Sequence, residues 1–131
     1  MIALDSSALV AVALDEREAQ EFEDMISESQ CFVGWPTLFE TYLVLGAKAD
    51  AAFASNFLRV LMARSNCTGI GFDGALFEIA RAAFDQFGRG RHPAKLNFGD
   101  CMSYAVAKFH DVPLLFKGDD FRLTDVRRAV P

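Results

Sequence analysis

The segment IALDSSALVAVAL, residues 2–14, joins a short apolar run to a longer one through Asp5 and two serines. Residues 2–4 predict a buried strand, and the run from Ser6 predicts a helix. Ser6 or Ser7 could cap that helix, and Asp5 has suitable chemistry for the same role. A strand, a turn and a helix in this order are typical of α/β folds, and they put Asp5 at the end of the strand.

The same alternation of strands and helices continues along the chain. Short apolar runs at residues 31–35, 68–72 and 112–116 predict three further strands, of which 68–72 is weakened by its glycines. Apolar residues recur every three or four positions in five further segments: 15–29, 37–48, 50–61, 73–88 and 98–110. Alternating strands and helices predict βαβ units and a parallel sheet. We therefore expect one three-layer α/β/α domain over residues 1–131.

Composition limits the classes of protein to consider. The chain has 131 residues, of which 52% are hydrophobic, and this is enough for one domain with a buried core. A formal net charge of −5 argues against binding nucleic acid through overall positive charge, so any such contact must be local. The apolar run at residues 8–14 is much shorter than a membrane span, and no basic segment precedes it, so we expect a cytosolic protein.

The three cysteines, Cys31, Cys67 and Cys101, are odd in number and have neither zinc-like nor CxxC spacing. We expect them to be reduced and mostly buried thiols, as is usual inside cells. A zinc site is not expected.

Acidic side chains occur where the predicted fold would bring them together. Asp5 follows the first strand, and Asp119 and Asp120 follow the last. In open parallel sheets ligands bind beyond the carboxyl ends of the strands. Glu40 and Asp100 stand near the starts of helices that can open toward the same edge. Each position also has an ordinary explanation as a helix cap, a solvated helix face or a polar turn.

Several carboxylates at close range repel one another and raise each other's pKa unless a cation neutralises them. Magnesium prefers oxygen ligands, keeps several waters and often takes only one or two carboxylates directly. A bound magnesium ion can activate water and stabilise the leaving oxygen of a phosphodiester. The acidic positions therefore predict metal-dependent hydrolysis of nucleic acid.

Three segments of the chain resemble a known family. They are MIALDSSALVAVALDEREA (1–19), TLFETYLVLGAK (37–48) and GRGRHPAKLNFGDCMSYAVAKFHDVPLLFKGDDFRLTDV (88–126). In this order they resemble the PIN-domain ribonucleases, and most closely the VapC toxins of bacterial toxin–antitoxin modules. The resemblance implies a compact α/β/α fold, cleavage of RNA by an endonuclease that uses Mg²⁺ or Mn²⁺, frequent homodimers, and inhibition by a VapB antitoxin.

The resemblance also implies roles for particular side chains. It assigns the acids of the site in chain order: Asp5, Glu40, Asp100 and an acid of the GDDF segment. The usual fourth acid directly precedes a phenylalanine, which favours Asp120, although Asp119 is within reach. Asp5, Asp100 and Asp120 would hold the metal. Ser7 would help to hold the geometry of the metal site.

Positive charge collects immediately before Asp100. Arg89, Arg91, His92 and Lys95 lie within the segment GRGRHPAKLNFGDC, residues 88–101. An acidic site repels the phosphate backbone it must cut, so these side chains could bind and position RNA. The alternative is a solvated, flexible loop.

Two other functions remain open at this point. A phosphatase of the haloacid-dehalogenase type also begins with a strand that ends in a nucleophilic Asp, but it has a second Asp two positions later, where this chain has Ser7. A non-catalytic PIN-like binding module would be expected to lose acids, and this chain retains all of them.

Overall fold

The computed structural model describes residues 1–130 as a four-stranded parallel sheet with six helices. The strands are β1 (Ile2–Leu4), β2 (Cys31–Gly34), β3 (Cys67–Ile70) and β4 (Leu114–Leu115). The helices are α1 (Ser6–Ala13), α2 (Ala19–Glu28), α3 (Trp35–Lys48), α4 (Ala51–Met62), α5 (Gly74–Phe87) and α6 (Phe98–His110). This confirms the predicted α/β/α architecture with a parallel sheet.

The strand order is β3-β2-β1-β4, so the first strand pairs with the last. Ala3 is in register with Phe32 on one side and with Leu114 on the other. The chain builds outward from β1 to β3 and then returns to the opposite side of β1. Such a reversal of strand order opens a crevice beyond the carboxyl ends of β1 and β4, which is where ligands bind in this class of sheet.

Alternating side chains of β1 divide the core into two layers. Ala3 packs into a cluster formed mainly by α5, α6 and β4. Ile2 and Leu4 point to the opposite face, where they pack with apolar residues of α1, α2 and α4. Successive residues of a strand face opposite sides of the sheet, so this three-residue strand holds both layers together.

Of the alternatives that the sequence left open for the N-cap of α1, the structure shows Asp5. The predicted boundaries differ most from the structure at α2 and β4. Helix α2 begins at Ala19 and not near Asp15, because Asp15 has a φ of 53°, in the left-handed region, and ends the preceding helical run. Strand β4 is two residues long because the amide of Lys117 donates to the hydroxyl of Ser7 and not to a neighbouring strand.

All three cysteines are buried free thiols, as predicted. Across residues 1–130, no helix is long and apolar enough to cross a membrane.

Candidate active site

Asp5 lies at the carboxyl end of β1, where it also begins α1. Its Oδ2 atom accepts hydrogen bonds from the amide of Ser7 at 3.1 Å and from the hydroxyl of Ser7 at 2.5 Å. The Ser7 hydroxyl in turn accepts from the amide of Lys117 at 3.0 Å. One serine therefore fixes the Asp5 carboxylate and also ties the β1–α1 turn to the segment that leaves β4.

Glu40 reaches the site from the second turn of α3. Its carboxylate lies against the first turn of α6, where a Cβ atom on Gly99 would overlap both of its oxygens. Glycine at position 99 is therefore needed for this close approach. The N-terminus of a helix carries partial positive charge, which favours a carboxylate at this position.

Asp100 lies in the first turn of α6 and is only 9% exposed. Its Oδ2 atom accepts from the amide of Asn97 at 3.0 Å, and its own amide donates to Oδ1 of Asn97 at 2.9 Å. This capping box is the ordinary explanation proposed for Asp100 from the sequence. It does not remove the residue from the site, because the capped helix end faces Asp5 and Glu40.

The acids affect one another electrostatically. The pKa of Asp100 is raised to about 7, mainly by burial; the hydrogen bond from Asn97 lowers it, and the negative charges of Asp5, Asp120 and Glu40 add to the rise. Burial also raises the pKa of Asp5, which the hydroxyls of Ser103 and Ser7 only partly offset.

Burial likewise raises the pKa of Glu40; the Ser6 hydroxyl lowers it and the charge of Asp5 raises it. Three acids with raised pKa values at one edge of the sheet are characteristic of a functional site, since burial and like charge both oppose ionisation there.

The two acids of the GDDF segment occupy different environments. Asp119 is 88% exposed and forms an ion pair with Nε of Arg122 at 2.9 Å. Asp120 is also exposed, but its charge is among those that raise the pKa of Asp100. The structure therefore turns Asp119 toward Arg122, whereas Asp120 acts on the acidic cluster.

Two carboxylate oxygens at the site have no partner in the protein. Among residues 1–130, the buried side-chain oxygens that accept no hydrogen bond are Oδ1 of Asp5 and Oε1 of Glu40. Buried polar atoms are normally paired, so such atoms call for an explanation such as an ion or a water. Anionic oxygens with free lone pairs are also the ligands that hard divalent cations prefer. The donor set thus fits a magnesium-type ion.

The acids do not form a closed cage for that ion. Over the described part of the chain, no three Asp, Glu, His or Cys side chains lie close enough to ligate one metal together. This arrangement is compatible with magnesium, because that ion usually keeps several waters and needs only one or two direct carboxylates.

Sequence reasoning missed a buried polar contact that supports the site. The hydroxyls of Thr37 and Ser103 lie 3.2 Å apart, which joins α3 to α6 beneath the acids. Thr37 precedes Glu40 by one turn, and Ser103 follows Asp100 by one turn. The sequence shows that each of these residues shares a helix face with an acid, because it lies one helical turn away, but not that the two hydroxyls meet.

The basic loop, residues 88–97, is a compact turn between α5 and α6. The amide of Arg89 donates to the carbonyl of Leu96 at 3.0 Å, and the amide of Leu96 donates to the carbonyl of Phe87 at 3.0 Å. The guanidinium of Arg91 lies 5.5 Å from the ring centre of Phe84.

The other two basic side chains of the loop differ in their surroundings. The ring of His92 packs edge-on against Phe87, and its Nδ1 atom accepts from the amide of Ala94 at 3.0 Å. Lys95 is exposed. Together with Arg89 and Arg91, these side chains border an open cavity of about 580 Å³.

Comparisons with known proteins agree with this geometry. Residues 2–127 match the PIN domain family. A protein named ribonuclease VapC from Mycolicibacterium smegmatis is 37% identical over 124 residues, which cover 94% of this chain and 95% of that protein. Ribonuclease VapC30 of Mycobacterium tuberculosis is also 37% identical, with 94% of each chain covered. The crystal structure of Mycobacterium tuberculosis VapC20, described as a toxin that cleaves the sarcin–ricin loop, has a TM-score of 0.81 at 15% identity and 100% coverage of both chains.

Proposed function

Because this chain belongs to the VapC ribonucleases of the PIN-domain family, we propose that it is the toxin of a toxin–antitoxin pair and cuts RNA internally with the help of a divalent metal ion. The observation that carries the proposal is the pair of unpartnered buried oxygens on Asp5 and Glu40 beside Asp100, whose pKa is raised to about 7. The ordinary helix caps and solvated faces do not account for such oxygens.

The metal would be held by Asp5, Asp100 and Asp120, directly or through waters. Mg²⁺ suits these oxygen ligands, and Mn²⁺ is expected to replace it. Bound there, the ion would supply Lewis-acid activation of water and stabilisation of the leaving oxygen. Ser7 supports the site by holding Oδ2 of Asp5, which leaves Oδ1 free to face the cluster.

Glu40 is the candidate general base. Its Oε1 atom is buried and unpartnered, so it can accept a hydrogen bond from a water beside Asp5 and then take that water's proton. The pKa of Glu40 is raised toward neutral pH, which suits a general base. Gly99 allows the carboxylate to approach α6, and this fixes its direction.

The basic loop is the proposed binding site for the RNA backbone. Arg89, Arg91 and Lys95 are exposed beside the helix that carries Asp100, and His92 is half-buried among them. Positive side chains here would attract the phosphate backbone that the acids repel. Phosphate contacts of this kind position a strand and do not read its sequence.

Two protein partners are proposed. Solved relatives include a toxin–antitoxin complex from Klebsiella pneumoniae and VapBC2 of Rickettsia felis bound to promoter DNA, with TM-scores of 0.67 and 0.70. We expect a VapB-type antitoxin for this chain as well. A homodimer is supported by an exposed apolar surface on α3 and the start of α6, formed by Trp35, Phe39, Leu43 and Phe98.

The two other functions are not favoured. In place of the second aspartate of a haloacid-dehalogenase-type phosphatase, Ser7 binds Asp5 and fixes its direction. A purely structural scaffold would gain nothing from unpartnered buried carboxylate oxygens, which lower stability.

The test is cleavage of RNA by the purified protein. We expect cutting with Mg²⁺ or Mn²⁺, no cutting in EDTA, and loss of cutting in Asp100→Asn. Asp24→Asn, an exposed acid on α2, serves as the matched control and should cut normally. Undiminished cutting in EDTA would contradict the metal-dependent mechanism.

A further inference from the structure

A pair of thiols lies at the amino ends of β2 and β3, whereas the acids lie beyond the carboxyl ends of the strands. Cys31 is the first residue of β2 and Cys67 is the first residue of β3, and the two are partners in the parallel register. Neighbouring strands lie about 4.8 Å apart, within the Cα separation of about 4.4–6.8 Å found for disulfides. Residues in register point to the same face of the sheet, and both cysteines belong to the same core cluster.

Carbonyl oxygens lie close to the Cys31 sulfur. Its Sγ atom is 3.6 Å from the carbonyl oxygen of Ser29 and 3.5 Å from that of Ile26. Asn66 fixes that carbonyl, because its Nδ2 atom donates to it at 2.7 Å. Cys31 is therefore surrounded by acceptors that favour its protonated form.

Cys67 has the opposite character. The hydrogen bond from the Cys31 thiol lowers the pKa of Cys67 and burial raises it, while the charge of Arg64 lowers it again. Arg64 is held in place by an ion pair with Glu23 at 2.8 Å. Cys67 is 8% exposed, whereas Cys31 is fully buried. A thiolate beside a thiol and a cation is the usual setting of a reactive cysteine.

We propose that Cys31 and Cys67 form a reversible intramolecular disulfide when the protein meets a hydroperoxide, with Cys67 as the attacking thiolate. The Cys67 sulfur attacks one oxygen of hydrogen peroxide, the O–O bond breaks, and the released hydroxide takes up a proton to form water. Cys31 then attacks the sulfenic sulfur, the S–S bond forms, and the S–O bond breaks to release a second water. The two thiols lose two electrons and two protons, and the peroxide is reduced to two waters.

The third cysteine provides an internal control. Cys101 lies on α6 in the other core cluster, across the sheet from the thiol pair. Cys101 is 4% exposed and, among the described residues, is the one cysteine of its cluster. It has no neighbouring thiol with which to form a disulfide, and it should stay a free thiol when the pair is oxidised.

The experiment treats the whole purified protein with hydrogen peroxide, blocks remaining thiols with an alkylating agent, and measures intact mass and cross-linked peptides. We expect the loss of two hydrogen atoms per chain, a peptide that links Cys31 to Cys67, and full reversal by dithiothreitol. Cys101→Ala should behave like the wild type. Cys31→Ala and Cys67→Ala should form no intramolecular disulfide.

A second measurement needs no variant and so does not depend on whether the alanine variants fold. In the reduced wild type, iodoacetamide should label Cys67 before Cys31 and Cys101. Labelling of Cys101 first, oxidation of the three sulfurs without a cross-link, or a disulfide between two chains would each overturn the proposal. The thiols lie at the amino ends of β2 and β3 and take no part in the acidic cluster beyond the carboxyl ends of the strands. The outcome is therefore independent of whether the protein cuts RNA.

Discussion

Replacing Asp100 with asparagine should stabilise the folded protein, and this gain should grow as the pH rises. Folding moves the pKa of Asp100 from 3.8 to about 7. Between these values the folded chain keeps a proton that the unfolded chain has lost, so the stability of the wild type falls as pH rises through this window. Asparagine carries no charge to bury, and its side-chain oxygen can still accept the hydrogen bond from Asn97.

The size of the effect follows from the pKa. A tenfold change in an ionisation constant corresponds to about 1.4 kcal/mol, so between about pH 5 and about pH 8 the variant could gain up to roughly 3 kcal/mol over the wild type. Solvent at the open rim of the site screens part of this repulsion, and we therefore expect about 1–2 kcal/mol.

The assay is urea denaturation followed by circular dichroism in EDTA at both pH values. Asp24→Asn, which removes a charge from the exposed face of α2, should show no such pH-dependent gain. Adding Mn²⁺ should stabilise the wild type far more than Asp100→Asn, since a bound ion stabilises by mass action. An advantage of Asp100→Asn that is the same at both pH values would refute the reasoning, because the carboxyl would then not be buried in its charged form.

Three further outcomes are expected from RNA cleavage and binding. Gly99→Ala should reduce cleavage by roughly 10–100-fold because the added Cβ displaces the Glu40 carboxylate, whereas Gly46→Ala, which has open space around it, should not. Full activity of Gly99→Ala would contradict the close approach of Glu40 to α6. Asp120→Asn should lower metal-dependent cleavage by roughly tenfold or more and Asp119→Asn much less, and equal losses would argue against this distinction. Replacing Arg89, Arg91 and Lys95 together with Gln should weaken RNA binding and reduce the slope of log affinity against log salt by about 2. An unchanged slope would mean that the loop does not bind phosphate.

Helix caps could be predicted from the sequence, because each depends on one side chain and its near neighbours in the chain. Asp50 and Asp73 begin two of the predicted helical segments, 50–61 and 73–88, and each accepts a hydrogen bond from the third residue after it, so they cap α4 and α5. A helix cap was among the ordinary explanations for the acids, and Asp100 does form a capping box with Asn97. In each case the signal is contained within a few consecutive residues, so no tertiary information was needed.

Contacts between distant elements were not predictable in the same way. The hydroxyl contact of Thr37 and Ser103 depends on where α3 crosses α6, and helical periodicity gives the face of a helix but not its neighbour. The length of β4 likewise depended on whether Ser7 captured the amide of Lys117. Asp119 and Asp120 are adjacent in sequence; the ion pair of Asp119 with Arg122 and the effect of the Asp120 charge on Asp100 are contacts that the sequence did not show.

The pairing of β4 with β1 affects when the proposed enzyme can first act during its own synthesis. Asp5, Glu40 and Asp100 leave the ribosome before β4, but the edge on which they meet is completed only when Leu114 and Leu115 pair beside β1. A contact between the first and last strands forms late in a chain that folds as it is made, because it needs the greatest separation in sequence to be closed. Translation that stops before Leu114 would therefore release a chain with three of the acids and no complete sheet edge to assemble them. If the chain is the nuclease proposed above, we expect a chain that ends before Leu114 to cut no RNA, because the site is assembled only after almost all of the described residues have been translated.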